Sequence, residues 1–280
     1  MIDKQKVVII TGASRGIGKA VAQKFLSEGF CVVGVSRSRP KCQLSHHIKA
    51  DITKDEDRKN IIQHVISEFG RVDILINNAG IGIYDTWEDM DINQLREVFE
   101  VDFFAPVHLT KLALPYIKKA KGTIINISSA AGELSVPYES GYTAAKHAFH
   151  AFSETLRMEL NHYGVNVITV TAGNIKTGFT LSAKGSKHPP LLPFAGKRKE
   201  LAEEIYKAYI KKKDKVIYPG WYRIFMFYSK IFPKGYEKII MRIWERSFEK
   251  REEKINSQKK EAIFNSSGSF LSIKKSSEPE

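Results

Sequence analysis

A doubly wound α/β parallel sheet, with a helical, aromatic and basic C-terminal extension, is the fold class this 280-residue sequence predicts. Three observations carry that expectation. Short apolar runs alternate with longer amphipathic ones over the first 170 residues. The short runs are continuously apolar, so both faces of the sheet they build are covered. The first of them ends in a glycine-rich turn that leads straight into a helical pattern. An apolar content of 42% excludes a disordered chain, and the length suits one large domain with an extension.

The elements follow in order. Val7-Val8-Ile9-Ile10 reads as a buried strand, and Val21, Phe25 and Leu26 then recur at helical spacing. Cys31 to Val35 is a second strand, and His46-His47 precede a further short one. Ile61, Ile62, Val65, Ile66 and Phe69 form a helical stripe, followed by a strand at Ile74-Leu75-Ile76. Leu95 to Lys118 predicts one long helix kinked at Pro106. Thr123 to Ile127 is a strand, Tyr142 to Leu160 a helix and Val165 to Val170 a strand. Residues 173–200 carry Gly, Ser, Lys, His188, Pro189, Pro190 and Pro193, and read as a lid. Residues 200–213 are helical again.

Composition limits the function classes. Forty-four basic and 31 acidic side chains give a net charge of +13, concentrated in the last third. A solvated lysine-rich surface or attraction to an anionic partner both fit that charge. No recognised nucleic-acid motif accompanies it, so nucleic acid is not expected as a partner. Cys31 and Cys42 are too few for a disulfide framework or a four-ligand zinc site. His46, His47, His147, His150 and His188 lack metal partners, and no metal is expected. No apolar stretch suits a signal peptide or a spanning helix, which points to a cytoplasmic protein.

The glycine turn is Thr11-Gly12-Ala13-Ser14-Arg15-Gly16-Ile17-Gly18. Glycines let backbone approach a diphosphate, and the helix N-terminus offers unpaired N–H groups and a positive dipole end. Strand, turn and helix in that order predict a dinucleotide site. The second strand ends at Ser36-Arg37, and no Asp or Glu lies between Gly29 and Ala50. An acid there would take the ribose 2′-hydroxyl, whereas Arg pairs with a 2′-phosphate. Arg37, with Arg15 in the turn, therefore predicts NADP(H) as cofactor. Tyr142 and Lys146, four apart, share one helix face. A nearby ammonium lowers a phenol's pKa, which suits a general acid/base.

The Gly-x-x-x-Gly-x-Gly spacing, Asn77-Asn78-Ala79-Gly80, and the spacing of Ser129, Tyr142 and Lys146 resemble the short-chain dehydrogenase/reductase family over roughly residues 5–180. The resemblance implies a Rossmann-like fold and an oxidoreductase interconverting a carbonyl and a secondary alcohol. It implies Tyr142 as acid/base, Ser129 bonding the substrate oxygen, and Lys146 lowering the Tyr142 pKa while binding the ribose. It places Asp51 near the adenine, and Asn78, Ala79, Gly80, Ile175 and Thr177 on the cofactor beside Gly12, Ser14, Arg15, Gly16, Ile17, Gly18 and Arg37. Two positions depart from the family. Asp102 stands where the family has a helix Asn that holds a water linked to the lysine, and Ala172-Gly173 replaces Pro-Gly. The first adds a negative charge near Lys146; the second predicts a modestly looser turn. A non-catalytic NADP(H)-binding sensor on the same fold is the alternative, and turnover of ketones separates the two.

The expected organisation is a catalytic domain over 1–219, an amphipathic helical extension over 220–255 and a disordered tail over 256–280. Trp221, Tyr222, Ile224, Phe225, Phe227, Tyr228, Ile231 and Phe232 crowd the extension, and Tyr236, Ile239, Ile240, Ile243, Trp244 and Phe248 continue it at helical spacing. Arg223, Lys230, Lys234, Lys238, Arg242 and Arg246 lie between them. Such a stretch suits peripheral contact with a membrane surface through 221–248. It equally suits packing on the core, capping of a lipophilic pocket or a homo-oligomer contact.

Overall fold

The computed structural model describes residues 5–40, 42–187 and 195–248. Its centre is a seven-stranded, all-parallel sheet. The strands are β1 (Val7–Thr11), β2 (Cys31–Ser36), β3 (His46–Lys49), β4 (Ile74–Asn77), β5 (Thr123–Ser129), β6 (Asn166–Ala172) and β7 (Lys215–Tyr218). Their order across the sheet is β3-β2-β1-β4-β5-β6-β7.

Within β1, successive residues serve opposite faces. Val8 and Ile10 join one core with Val21 and Phe25 of α1 (Gly16–Ser27) and Leu201 and Ile205 of α6 (Arg198–Ile210). Val7 and Ile9 join the other core. There they meet Ile61 and Val65 of α2 (Asp55–Phe69), Leu109 and Ile117 of α4 (Ala105–Ala120), and Leu156 of α5 (Ser140–Leu160). Burial on both faces is why the strand sequences are continuously apolar.

The expected long helix is interrupted. Helix α3 (Ile92–Phe99) passes through a π-helical turn, Glu100–Phe104, before α4 begins. Pro106 falls in the first turn of α4, directly after the π turn, where its missing N–H cannot bond a carbonyl of that turn. The irregularity is therefore the wider turn before the proline, and it carries the buried Asp102. The two edge strands differ from expectation: the short strand near His46-His47 has other bounds, and β7 is unexpected. His46 and His47 lie inside β3, not before it, and β7 follows α6.

Beyond β7, helix α7 (Tyr222–Ile231) is followed by a helical stretch over 233–248. Tyr222, Met226, Tyr236 and Trp244 are buried against Ala130 and Leu134 and the cavity described below. The expected tail over 256–280, and His188, Pro189, Pro190 and Pro193 of the lid, lie outside the described residues. The described flanks of the lid are tied down. Ile83 pairs with Lys184, Ile175 pairs with Gly196, and Asp85 accepts from the N–H and hydroxyl of Ser186.

Candidate active site

The strand order reverses between β1 and β4, and a cavity opens at the carboxyl ends of the central strands. It is continuous, with a volume of about 1230 Å³. One end is lined by Gly12, Ser14, Arg15, Gly16, Ile17, Arg37 and Asp51. Asn78, Ala79, Gly80, Ser129, Tyr142, Lys146, Ile175 and Thr177 line its middle. Of the residues expected from sequence, Gly18 and Asp102 stand behind this wall instead of on it.

The glycine turn is built for close approach. Gly12 and Gly16 have φ of +69° and +58°, a region that side chains disfavour. A Cβ on Gly18 would lie 2.4 Å from both the Gly12 carbonyl oxygen and Asn78 Nδ2. Asn78 explains that crowding. Its amide donates to the Thr11 carbonyl at 2.8 Å, and the Thr11 hydroxyl accepts from the N–H groups of Asn78 and Ala79. Asn78 thus braces the turn. Arg15 precedes α1 in extended backbone and places no side-chain cap on its N–H groups. Uncapped N–H groups at a cavity, beside backbone too close for a Cβ, fit a dinucleotide diphosphate.

At the far side of this end, Arg37 and Asp51 face the same space. Burial alone would raise the Asp51 carboxyl, but bonds from the Thr53 N–H and hydroxyl and the Arg37 charge bring it below the usual carboxylate range. Arg15 reaches across the mouth to donate to the Ser182 hydroxyl at 3.0 Å.

Tyr142 and Lys146 stand on the first turns of α5, where the helix passes the end of β5. The Lys146 ammonium lies 3.0 Å from Asp102 Oδ2 and 3.5 Å from the Ile127 carbonyl. The π turn aims Asp102 at it, and Asp102 Oδ1 also accepts from the Ile81 N–H at 2.8 Å. Burial pushes the Asp102 carboxyl up, against the opposing pull of Lys146 and the Ile81 N–H.

This pairing bears on the expected role of Lys146. The Tyr142 phenol is held well above its ordinary value, first by burial and then by the Asp102 charge, while a hydrogen bond with Ser129 works the other way. The Lys146 charge is matched by Asp102 and sits 5.7 Å from the centre of the Tyr142 ring. Burial and the Asp102 charge outweigh its pull on the phenol in this arrangement.

The Ala172-Gly173 turn is also firmer than the missing proline suggests. The Tyr222 ring lies against Gly173, where a Cβ would be 2.0 Å from it, and the Tyr222 hydroxyl accepts from the Asn174 N–H at 3.1 Å. The extension clamps the segment carrying Ile175 and Thr177. Thr177 faces Gly16 across the cavity, and its hydroxyl accepts from the Phe179 N–H.

Beyond Tyr142 the wall turns aromatic and aliphatic, with Tyr84, Phe179, Trp221, Tyr222, Phe225, Tyr236 and Trp244. Sequence reasoning missed one residue there. Glu139, three before Tyr142, lines this region, and burial pushes its carboxyl up to about 8. A carboxylate at the start of a helix reads as an ordinary cap, so no sequence signal marked it. Among the described residues no group of His, Cys, Asp and Glu suits a metal ion. His150 is buried beside Glu154, and the His147 ring meets the Thr143 carbonyl.

Fold and cavity together define a Rossmann-like nucleotide-binding protein with a candidate active site beside the glycine turn. Residues 6–187 match the short chain dehydrogenase model, and the chain belongs to that family, whose cofactors are NAD(P). It is 38% identical over 178 residues to the 3-ketodihydrosphingosine reductase of Bacteroides thetaiotaomicron, a match covering 62% of this chain and 66% of that protein, just under two thirds of its length. It is 34% identical over 245 residues to the 11-beta-hydroxysteroid dehydrogenase-like 4A of Arabidopsis thaliana, covering 82% and 81%. Among solved structures, a short-chain dehydrogenase from Streptomyces avermitilis superposes with a TM-score of 0.73 at 28% identity, over 85% of this chain and 98% of that one.

Proposed function

We propose that this chain is an NADP(H)-dependent oxidoreductase interconverting a ketone and a secondary alcohol on a lipophilic substrate, with Tyr142 as general acid/base. The observation that carries the reading is one continuous cavity, which runs from the glycine turn past Tyr142 to an aromatic wall. The bound nicotinamide supplies or takes the hydride. The Tyr142 hydroxyl gives its proton to the carbonyl oxygen in reduction and takes it back in oxidation. Ser129 positions that oxygen, and Lys146, held by Asp102, orients the cofactor ribose. The two relatives named for a keto-sphingosine and a hydroxysteroid support a lipophilic substrate. Oxidation of NADPH with a panel of long-chain and polycyclic ketones tests the reading; no turnover on any of them would count against it.

Arg37 and Arg15, both on the cavity wall, support NADP(H) over NAD(H). Arg37→Asp is expected to shift the ratio of NADPH to NADH affinity by about tenfold or more, since a charged hydrogen bond contributes roughly 1.5–3 kcal/mol. Titrating the variant with each cofactor checks this, and an unaltered ratio would leave the phosphate to Arg15.

The extension supports peripheral membrane contact. Its inner face caps the cavity, while Ile224, Phe227 and Ile231 are 75%, 68% and 53% exposed at helical spacing along the outer face of α7. Exposed Arg223, Lys230, Lys234 and Lys238 flank them. An apolar stripe with basic neighbours suits an anionic interface, each cation adding about 1 kcal/mol. No described helix is long and apolar enough to cross a membrane. The full chain is expected to sediment with anionic vesicles at low salt and to be released by salt. The triple change Ile224→Ser, Phe227→Ser, Ile231→Ser should abolish binding while leaving the Tyr222 clamp intact. A full chain that stays in the supernatant would end the idea.

A further inference from the structure

Glu139 sits where α5 begins, three residues before Tyr142. A carboxylate in that position ordinarily accepts from the first helical N–H groups and gains from the dipole. Glu139 does not. Its backbone carbonyl accepts from the Thr143 N–H at 2.7 Å, but its side chain makes no cap bond. The residue is 8% exposed and lines the cavity, and among the described residues its carboxyl has no hydrogen bond or ion pair. The backbone just before it is unusual too. Tyr138 has φ of +62°, a conformation rare for a bulky residue, and its ring packs against Trp244 at 5.1 Å.

The surroundings define what could satisfy this carboxyl. The phenols facing it are Tyr84, Tyr142, Tyr222 and Tyr236, each pushed up first by burial, with the Glu139 charge adding in the same direction. Tyr236 already donates to the Ser135 carbonyl, at 2.6 Å. The basic residues on the cavity wall are Arg15, Arg37, Arg96 and Lys146. None is paired with Glu139, and Lys146 is matched by Asp102. A buried carboxyl without a partner is costly, and a cation arriving with the ligand removes that cost. Aromatic rings around the carboxylate favour the same guest, because their faces attract cations. Near neutrality the raised carboxyl keeps its proton until such a cation pairs with it.

We infer that Glu139 recognises a protonated amine on the substrate, which makes the preferred substrates lipophilic amino ketones and amino alcohols. This rests on the carbonyl–alcohol reading above. Glu139 immediately precedes α5, and it and Tyr142 line the same cavity. The ammonium bound at Glu139 and the carbonyl at Tyr142 therefore belong to one polar head of the substrate. The alkyl portion then runs along the wall formed by Phe225, Ile240, Ile243 and Trp244.

The test compares two matched twelve-carbon ketones, one bearing an amino group two carbons from the carbonyl, as substrates with NADPH. The wild-type protein is expected to favour the amino ketone in kcat/KM by roughly 10- to 100-fold, the range of a charged hydrogen bond. Glu139→Gln should bring that ratio close to one, mainly through KM, and Glu139→Asp should keep part of it. A second arm measures binding of dodecylammonium and of 1-dodecanol to the NADPH-loaded protein, wild type and Glu139→Gln. Tighter dodecylammonium binding that depends on Glu139 supports the inference even if neither ketone is reduced, an outcome that would sink only the carbonyl–alcohol reading. Equal binding of amine and alcohol, or an amine preference that survives Glu139→Gln, overturns it. So does a Glu139-dependent preference for dodecanol, which would make Glu139 a neutral hydrogen-bonding group.

Discussion

Replacing Tyr142 with Phe is expected to lower turnover by about 10²–10⁴-fold, the range for a positioned proton donor. NADPH affinity should change by less than about twofold, because only the hydroxyl is deleted. The ring is buried and packs against Phe179 with centroids 5.7 Å apart, a contact that Phe preserves. The direction of the Tyr142 shift adds a second expectation. A phenol held above its ordinary value by burial and by Asp102 keeps its proton through the neutral range. With a ketone that carries no amine, reduction, which needs the proton present, should then show no loss of rate below the phenol's ordinary range. Oxidation, which needs it absent, should rise steadily with alkalinity. Steady-state rates in both directions, with a fluorescence titration of NADPH, check both points. Wild-type turnover in the variant would remove Tyr142 from the mechanism.

The parts of the site that could be read from sequence are those carried by local chemistry. The glycine turn is legible because strand, turn and helix are contiguous, whereas Ser129, Tyr142 and Lys146 stand out through resemblance to the family's spacing, and all three line the cavity. What stayed hidden depends on contacts between distant segments. The Tyr222 clamp joins residues 48 apart, so nothing around Ala172-Gly173 announces it. The aromatic crowd at 221–248 left core, pocket, oligomer and membrane readings open. The structure turns one face to the cavity and the other outward, a division of faces that periodicity alone does not assign to partners. Helical periodicity over Leu95–Lys118 continues through the π turn because one extra residue hardly disturbs an apolar stripe. Strands β3 and β7 lie at the sheet edges, where polar residues such as His46, His47 and Lys215 are tolerated, so the apolar signal is weak there.

Asp102 is the buried carboxylate paired with Lys146, and two substitutions separate its packing from its charge. Asp102→Ala is expected to destabilise the protein by about 3–5 kcal/mol, the range for breaking a buried ion pair and leaving one charge behind. Lys146, only 4% exposed, loses the carboxylate 3.0 Å away, and the Ile81 N–H loses its acceptor. Asp102→Asn should cost less, because an amide oxygen still accepts from Ile81. Urea unfolding with an unchanged m-value measures both differences as stability. The Asn variant then isolates the charge. Asp102 is one of the groups raising the Tyr142 phenol, so its neutral replacement removes that contribution and lowers the phenol's pKa. The alkaline rise in oxidation should move to lower pH in Asp102→Asn, with reduction losing rate at the upper end of the range as the phenol deprotonates. If both pH profiles stay in place while stability falls, Asp102 only positions Lys146. If they move together, the Asp102 carboxylate sets the pH at which this site changes from proton donor to proton acceptor.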